Sequence, residues 1–324
     1  MTSRKKIGVV CFQLGGPDSL EAVGPFLYNL FCDPDIIPLP AGGLLRKLLA
    51  RYIVWRRVDH VRHAYAEIGG RSPISALTEL QARALERALE PHADARVVVA
   101  MRYWHPFTRE AIARLGGFAY DELVLLPLYP HFSFATTGSS LNEWKRCFHP
   151  DSRPVRLVEH FFSHPQYIEA LAEKISLSLT HFDAPEKATL LFSAHGLPVS
   201  FIDRGDPYQK HVEETVRLVM AEGKWANRHI LCYQSKVGRQ QWLEPSLLDT
   251  LKTCAQNGQR RLLVCPVAFV TEHIETLHEI NIEAREEAQR LGIEQFEMVP
   301  SLNDSPLFVA ALAHLVLAAT GLRL

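Results

Sequence analysis

A histidine at the end of an apolar run and a row of glutamates at helical spacing are the residues of this sequence best equipped for chemistry. In SAHGLPVSFIDRGDPY, from Ser193 to Tyr208, His195 follows Ala194 and precedes Gly196. The run before it reads as a strand, so His195 stands at a strand's carboxyl end, where an imidazole can point into a cleft. Its ordinary pKa of about 6.5 suits proton transfer. A histidine in a chain with fifteen of them is ordinarily structural or exposed, and it is this position that sets His195 apart. In TEHIETLHEINIE, from Thr271 to Glu283, an α-helix turning about 100° per residue puts Glu272 about 60° to one side of Glu275. On the same wheel Glu279 and Glu283 lie about 40° and 80° round and His273 roughly 160° away. Such a row is ordinarily a solvated face. Here it directly follows LLVCPVAFV, which brings Glu272 and Glu275 to a strand's end, where carboxylates guide a divalent cation or accept protons at the cost of mutual repulsion. A zinc-protease site is excluded, because it needs two histidines four apart and His273 and His278 are five apart.

The elements that must position these groups are legible as alternating runs. Apolar stretches rich in Val, Ile and Leu recur at 7–14, 96–101, 122–128, 188–194, 229–233 and 262–269. Helical patterns separate them, including Leu77 to Glu90 and Pro165 to Leu179, the latter opened by Ser163. The expected fold class is α/β, parallel sheets flanked by helices on both faces. A weak long-period repeat runs through the chain. VCFQLGGP from Val10 aligns with LFSAHGLP from Leu191, which sets Leu14 opposite His195 and Gly15 opposite Gly196. VLLPLYP from Val124 aligns with LVCPVAF from Leu263, and Met101, Arg102 and Tyr103 with Leu231, Cys232 and Tyr233. Two copies of one unit are expected, with Leu14 and His195 flanking one ligand near their strand ends.

Composition removes several function classes. A length of 324 residues, 47% of them hydrophobic, allows one large α/β body or two ordinary domains. A formal net charge of -1 with no basic block excludes a nucleic-acid partner held by phosphate neutralisation. The six cysteines are scattered, with no CxxC pair, as expected of reduced thiols in a cytoplasmic protein. The basic start MTSRKK leads into a short run followed by Gly-Gly-Pro-Asp, a first strand rather than a signal peptide. No apolar run reaches the roughly 20 residues of a membrane helix. Neither glycine motif reads GxGxxG after its strand, which disfavours a dinucleotide site.

The long motifs SAHGLPVSFIDRGDPY, CYQSKVGRQQWLEP and PVAFVTEHIETLHEINIE resemble those of ferrochelatases. So do LGGPDS, AYAEIGGRSPI, MRYWHPFT, PLYPHFSFATTGSSLNEW and SLNDSPLFVAALAHLV, all in the expected order over almost the whole chain. The resemblance implies two Rossmann-like halves related by pseudo-twofold symmetry. The first takes residues 1–160 with a returning helix in 303–324, and the second takes residues 161–302. It implies a lyase of haem biosynthesis that inserts ferrous iron into a porphyrin bent out of plane at the cost of binding energy. By the same resemblance His195 is the active-site histidine, as pyrrole-proton base or iron ligand, and Glu275 is its partner acid. Glu272 and Glu279 belong to an acidic track for metal or protons. Arg102, Tyr103, Tyr129 and Trp242 match pocket-lining positions, while Arg56, Arg57 and Ser72 match positions that hold propionates.

Departures from relatives refine these expectations. The sequence stops at Leu324 without the cysteine-bearing extension of animal members, and Phe134 stands where those members have an internal cysteine. No [2Fe–2S] cluster and no tightly bound cofactor are therefore expected; ferrous iron is a substrate. Leu14 followed by Gly-Gly-Pro replaces the tyrosine before Gly-Thr-Pro of members that use coproporphyrin III, which favours protoporphyrin IX. A coproporphyrin III ferrochelatase, a cobalt chelatase and a non-catalytic porphyrin or haem carrier are the alternatives. Residues 36–57 carry Leu44, Leu45, Leu48, Leu49, Tyr52, Ile53 and Trp55 among Arg46, Lys47 and Arg51. That pattern fits a pocket lip in peripheral contact with a membrane, or a buried helix with snorkelling basic residues. The sequence is silent on oligomeric state.

Overall fold

Strands buried on both faces have no polar alternation, and β1 (Lys6–Gln13) is of this kind, covered along its whole length after Lys6. The computed structural model describes residues 4–36, 43–149, 152–236, 238 and 240–322. In it β1 pairs in parallel with β2 (Asp94–Met101) on one side and β3 (Glu122–Pro127) on the other. A short β4 (Val155–Leu157) extends the sheet beyond β3, giving the order β2-β1-β3-β4. The crossovers are α1 (Val23–Phe31), α2 (Gly43–Glu67) and α3 (Ile74–Leu89) between β1 and β2, then α4 (Thr108–Gly116) between β2 and β3. A π-helical turn (Phe134–Gly138) runs into α5 (Ser139–Cys147) after β3. Val10, Phe12, Ala111, Leu115, Leu123 and Trp144 meet in one core cluster between sheet and helices.

The second sheet repeats this order. After α6 (Pro165–Leu179), β5 (Thr189–His195) pairs in parallel with β6 (His229–Gln234) and β7 (Arg261–Pro266), and β7 with β8 (Gln295–Met298), in the order β6-β5-β7-β8. Its crossovers include α7 (Val199–Asp203), α8 (Tyr208–Gly223) and α9 (Leu247–Gln256); a π-helix (Glu275–Ala284) leads into α10 (Arg285–Arg290) after β7. Leu191, Leu251, Leu262, Val264, Ile280 and Phe296 share its core. The chain divides into two compact units, one running to His160 and taking in the residues from Val309 onward, the other covering Phe161–Phe308. The second runs through Phe308 because that wholly buried ring packs against Phe161 and Tyr167. The last helix, α11 (Pro306–Ala319), belongs to the first unit from Val309 onward, where Lys5 Nζ reaches the Thr320 carbonyl at 2.8 Å.

Two of the three internal matches are in register. Phe12 lies beside Pro127 and Ser193 beside Pro266, as both alignments require. The third is shifted by two residues: Met101 pairs with Gln13 and Tyr233 with Ala194, so Tyr233 corresponds to Met101 and not to Tyr103. Each expected strand exists, while β4 and β8, three and four residues long, are too short to announce themselves by pattern. The N-cap of α6 is His164, with no side-chain cap, rather than an opening at Ser163. Of the basic stretch 36–57, residues 37–42 lie outside the described residues. From Gly43 it forms the first half of α2, with Leu44, Leu45, Leu48, Tyr52 and Trp55 exposed.

Candidate active site

β5 delivers His195 to its carboxyl end, and the chain must then leave the sheet at once. Gly196 makes this possible, because a Cβ there would stand 2.7 Å from the Gln234 carbonyl oxygen and 3.2 Å from the Trp242 ring. Its N–H donates to that carbonyl at 2.8 Å. Tyr208, at the start of α8, donates its hydroxyl to the His195 carbonyl at 3.0 Å. Held on both sides, the imidazole sets Nδ1 2.8 Å from Oε2 of Glu275, the first residue of the π-helix. The His195 side chain is 38% exposed and that of Glu275 15%. Nε2 of His195 makes no hydrogen bond among the described residues.

The acidic row differs from the α-helical wheel in two ways. Glu272 and His273 precede the helix, so 100° per residue does not apply to them. His273, expected to point away, brings Nε2 to 3.7 Å from the same Glu275 oxygen, while its Nδ1 donates to the Thr271 carbonyl at 3.0 Å. Glu272 accepts from the Ser301 N–H at 2.7 Å and from the hydroxyl of Thr276, the second residue of the helix. Within the helix the i→i+5 pattern, frequent at functional sites, leaves Glu275 and Glu279 in electrostatic contact. The Ser235 hydroxyl donates to Glu279, and Glu283 lies exposed near His278. Among the described residues no three His, Cys, Asp or Glu side chains converge as a metal cage, and both Glu272 oxygens accept hydrogen bonds, one from Ser301 and one from Thr276.

Electrostatics separate the groups. Burial pushes the Glu275 carboxyl up, but the His195 and His273 imidazoles beside it hold it far below the usual carboxylate range. For His195, burial works against the charged form, and the Glu275 charge more than offsets it, so the imidazole's pKa is raised. Glu279 goes the other way, pushed up to about 7 by burial and by the Glu275 charge. A permanent anion thus backs a base, with a second acid near neutrality beside them.

The first unit carries the remaining expected residues in varied settings. With Pro127 laid on Pro266, Leu14, Thr136 and Ser140 take the places of His195, Glu275 and Glu279, so the acid-base set exists in one copy. Leu14 is half-buried, its N–H donating to the Gln13 side chain at 3.0 Å. Tyr103, expected to line a pocket, is 0% exposed and donates its hydroxyl to Asp33 at 2.6 Å. Arg102 pairs with the same carboxylate at 2.9 Å and donates to Ser139 at 2.7 Å. Both are held by Asp33, a residue for which the sequence carries no signal beyond a turn-like Asp-Pro. Tyr129 is half-buried against Ser140. Ser72, expected to hold a propionate, is buried under Gly16 and accepts from the Ile74 N–H at 3.4 Å. Arg56 is exposed, and Arg57 lies 6.0 Å over the Phe31 ring. In the second unit Trp242 is buried, bridged to Pro198, with its ring beside Gly196. An open cavity of about 670 Å³ in the first unit, lined by Arg46, Arg102, Arg109 and Arg146 among others, contains neither His195 nor Glu275. Gln234, Ser235 and Tyr208 were not singled out by the sequence, although each falls inside a quoted motif.

Comparison with known proteins places this geometry. Residues 6–320 match the family model for ferrochelatase. A Geobacter metallireducens protein named ferrochelatase is 50% identical over 314 residues, spanning 96% of this chain and 98% of its own. One from Geotalea daltonii is 48% identical over 319 residues, spanning 98% and 99%. Among solved structures, SirB from Bacillus subtilis with Fe3+ covers 98% of both chains at a TM-score of 0.54 and 10% identity, a likeness of fold alone. With the family model covering nearly the whole chain and relatives about half identical over their full length, this chain belongs to the ferrochelatase family.

Proposed function

We propose that this ferrochelatase inserts ferrous iron into protoporphyrin IX with His195 as the base that takes a pyrrole proton. The observation that carries the reading is the 2.8 Å contact of His195 Nδ1 with Glu275 beside an uncommitted Nε2. Neutral His195 donates its Nδ1 proton to the carboxylate, which fixes the tautomer and leaves the Nε2 lone pair facing outward. When that nitrogen takes a proton from the macrocycle, the imidazolium forms against an anion already in place. Entry of Fe2+ displaces two N–H protons and yields neutral iron porphyrin, so charge balances. The two protons leave in turn by the same route, His195 taking each from the macrocycle and Glu279, near neutrality, receiving it and passing it to solvent. Glu272 has no part in that path. Leu14 followed by Gly-Gly-Pro, in place of the tyrosine before Gly-Thr-Pro of members that use coproporphyrin III, supports protoporphyrin IX as the substrate. Anaerobic insertion into protoporphyrin IX and coproporphyrin III in parallel, by the parent protein and His195→Ala, tests the reading. The expected result is faster use of protoporphyrin IX and its loss in the variant. Faster use of coproporphyrin III, or an active His195→Ala, would overturn it.

We further propose that the protein is cytoplasmic and rests on anionic lipid through α2. No helix among the described residues is long and apolar enough to cross a membrane. Yet Leu44 and Trp55 are 75% and 70% exposed, with Lys47, Arg51 and Arg56 beside them on the exposed face, the make-up of an interfacial helix. Co-sedimentation with vesicles containing phosphatidylglycerol should be lost in Leu48→Glu/Trp55→Glu; equal binding by that variant would sink the idea.

A further inference from the structure

The end of β6 links the strand that carries His195 to the helix that carries the two acids. Gln234 accepts the Ser193 hydroxyl at 2.5 Å, and its amide lies 3.5 Å from the Glu275 carbonyl. One residue later the backbone turns abruptly, with Ser235 at φ 66°. That is the left-handed region, which costs a residue with a Cβ roughly 1–2 kcal/mol and is ordinarily left to glycine or asparagine. Strain of this kind persists only where the surroundings enforce it, and it collects at working sites. What serine has and glycine lacks is a hydroxyl, and this one donates to the Glu279 carboxylate across 44 residues of sequence.

We infer that Ser235 is a positioning residue for Glu279: its left-handed backbone aims the hydroxyl at one carboxylate oxygen and leaves the second oxygen free to exchange the departing proton. The inference rests on the role given to Glu279 above. The bond fixes the rotamer of a side chain on a helix that has no other polar hold on it among the described residues. Substitution by glycine suits the backbone and removes the hydroxyl; alanine removes the hydroxyl and keeps the strain. Asparagine tolerates the left-handed region and brings an amide donor. These three therefore separate conformation from hydrogen bonding.

The test is steady-state insertion of ferrous iron into protoporphyrin IX by the parent, Ser235→Gly, Ser235→Ala, Ser235→Asn, Glu279→Gln and the double variant Ser235→Gly/Glu279→Gln. Glycine and alanine should each lower kcat about tenfold, the size of loss that follows displacement of a reacting group by a fraction of an ångström. KM for iron and for porphyrin should stay within about twofold of the parent, since binding is untouched. Asparagine should recover most of the loss, and the double variant should be no slower than Glu279→Gln alone, because the two residues act as one. Glycine with the parent's kcat would show that only the backbone turn matters and would overturn the inference. A double variant that loses the product of the two single losses would also overturn it. Should alanine fail to fold, glycine and asparagine carry the test unaided. An active parent, a slow Glu279→Gln and a fast Ser235→Gly sink this inference alone, whereas a Glu279→Gln as fast as the parent removes the role of Glu279 and the inference with it.

Discussion

Replacing Glu275 by glutamine removes a charge and almost nothing else, since the amide keeps the size of the carboxylate and an oxygen to accept the Nδ1 proton of His195. The 2.8 Å separation lies in the range of charge-assisted bonds, which contribute about 1.5–3 kcal/mol against 0.5–1.5 for neutral ones. The imidazolium that forms as His195 takes its proton therefore loses about 1–2 kcal/mol of stabilisation in Glu275→Gln. Partial exposure of the His195 side chain, 38%, argues for the lower half of that range. At 1.36 kcal/mol per tenfold, a loss in that lower half should cut kcat by a factor of about 5–13 on the pH plateau. The pH profile should move as well. His195 must be neutral to act, so the rate rises with pH through its pKa, and the Glu275 charge holds that pKa above the ordinary histidine value. Without the charge the rising limb shifts to lower pH. Stopped-flow absorbance of iron insertion under anaerobic conditions, from pH 5 to 9, reads both quantities. A limb that stays in place or moves to higher pH would refute the base reading, and unchanged kcat with a raised KM for iron would assign the pair to metal capture instead.

Two further perturbations test the surroundings. Glu279 rises from 4.5 to about 7 on folding, so the folded state holds its proton more tightly and the parent loses stability as pH climbs between those values, an amount of about 3 kcal/mol. Glu279→Gln should therefore unfold in urea at higher concentration than the parent at pH 8, with the gap closing below pH 4.5; equal midpoints at pH 8 would contradict it. Asp33→Ala strands Arg102, whose side chain is only 11% exposed, together with the Tyr103 hydroxyl. A loss of about 3–5 kcal/mol in urea unfolding is expected, and a change below about 1 kcal/mol would show that Asp33 is not the hub.

Much of this protein was legible before any coordinates. A strand buried on both faces writes itself as a continuous apolar run, so β1, β3, β5 and β7 could be read directly, along with the parallel α/β class and the placing of His195 at a strand end. The short edge strands β4 and β8 escaped: all three residues of β4 are exposed, and an apolar run announces only a strand that is buried. The motifs carried the family, because long ordered matches do not depend on knowing which atoms meet.

Sheet order and helix geometry decided the rest. Glu275 could be nominated from sequence, but that it meets His195, 80 residues away, follows from β5 and β7 lying side by side. The α-helical wheel failed for His273 because the chain enters the helix only after it, and no 3.6-residue pattern announces a π-helix. Arg102 and Tyr103 had the right types for a pocket; that both meet an interior anion depended on Asp33, which follows the end of α1. Ser235 shows the same limit, since neither its left-handed turn nor its bond to Glu279 leaves a trace in local composition. Sequence determined what each segment buries, a property of neighbours along the chain. Which polar groups find one another was decided only by tertiary structure, because a hydrogen bond is fixed by position and direction between residues that the chain keeps far apart.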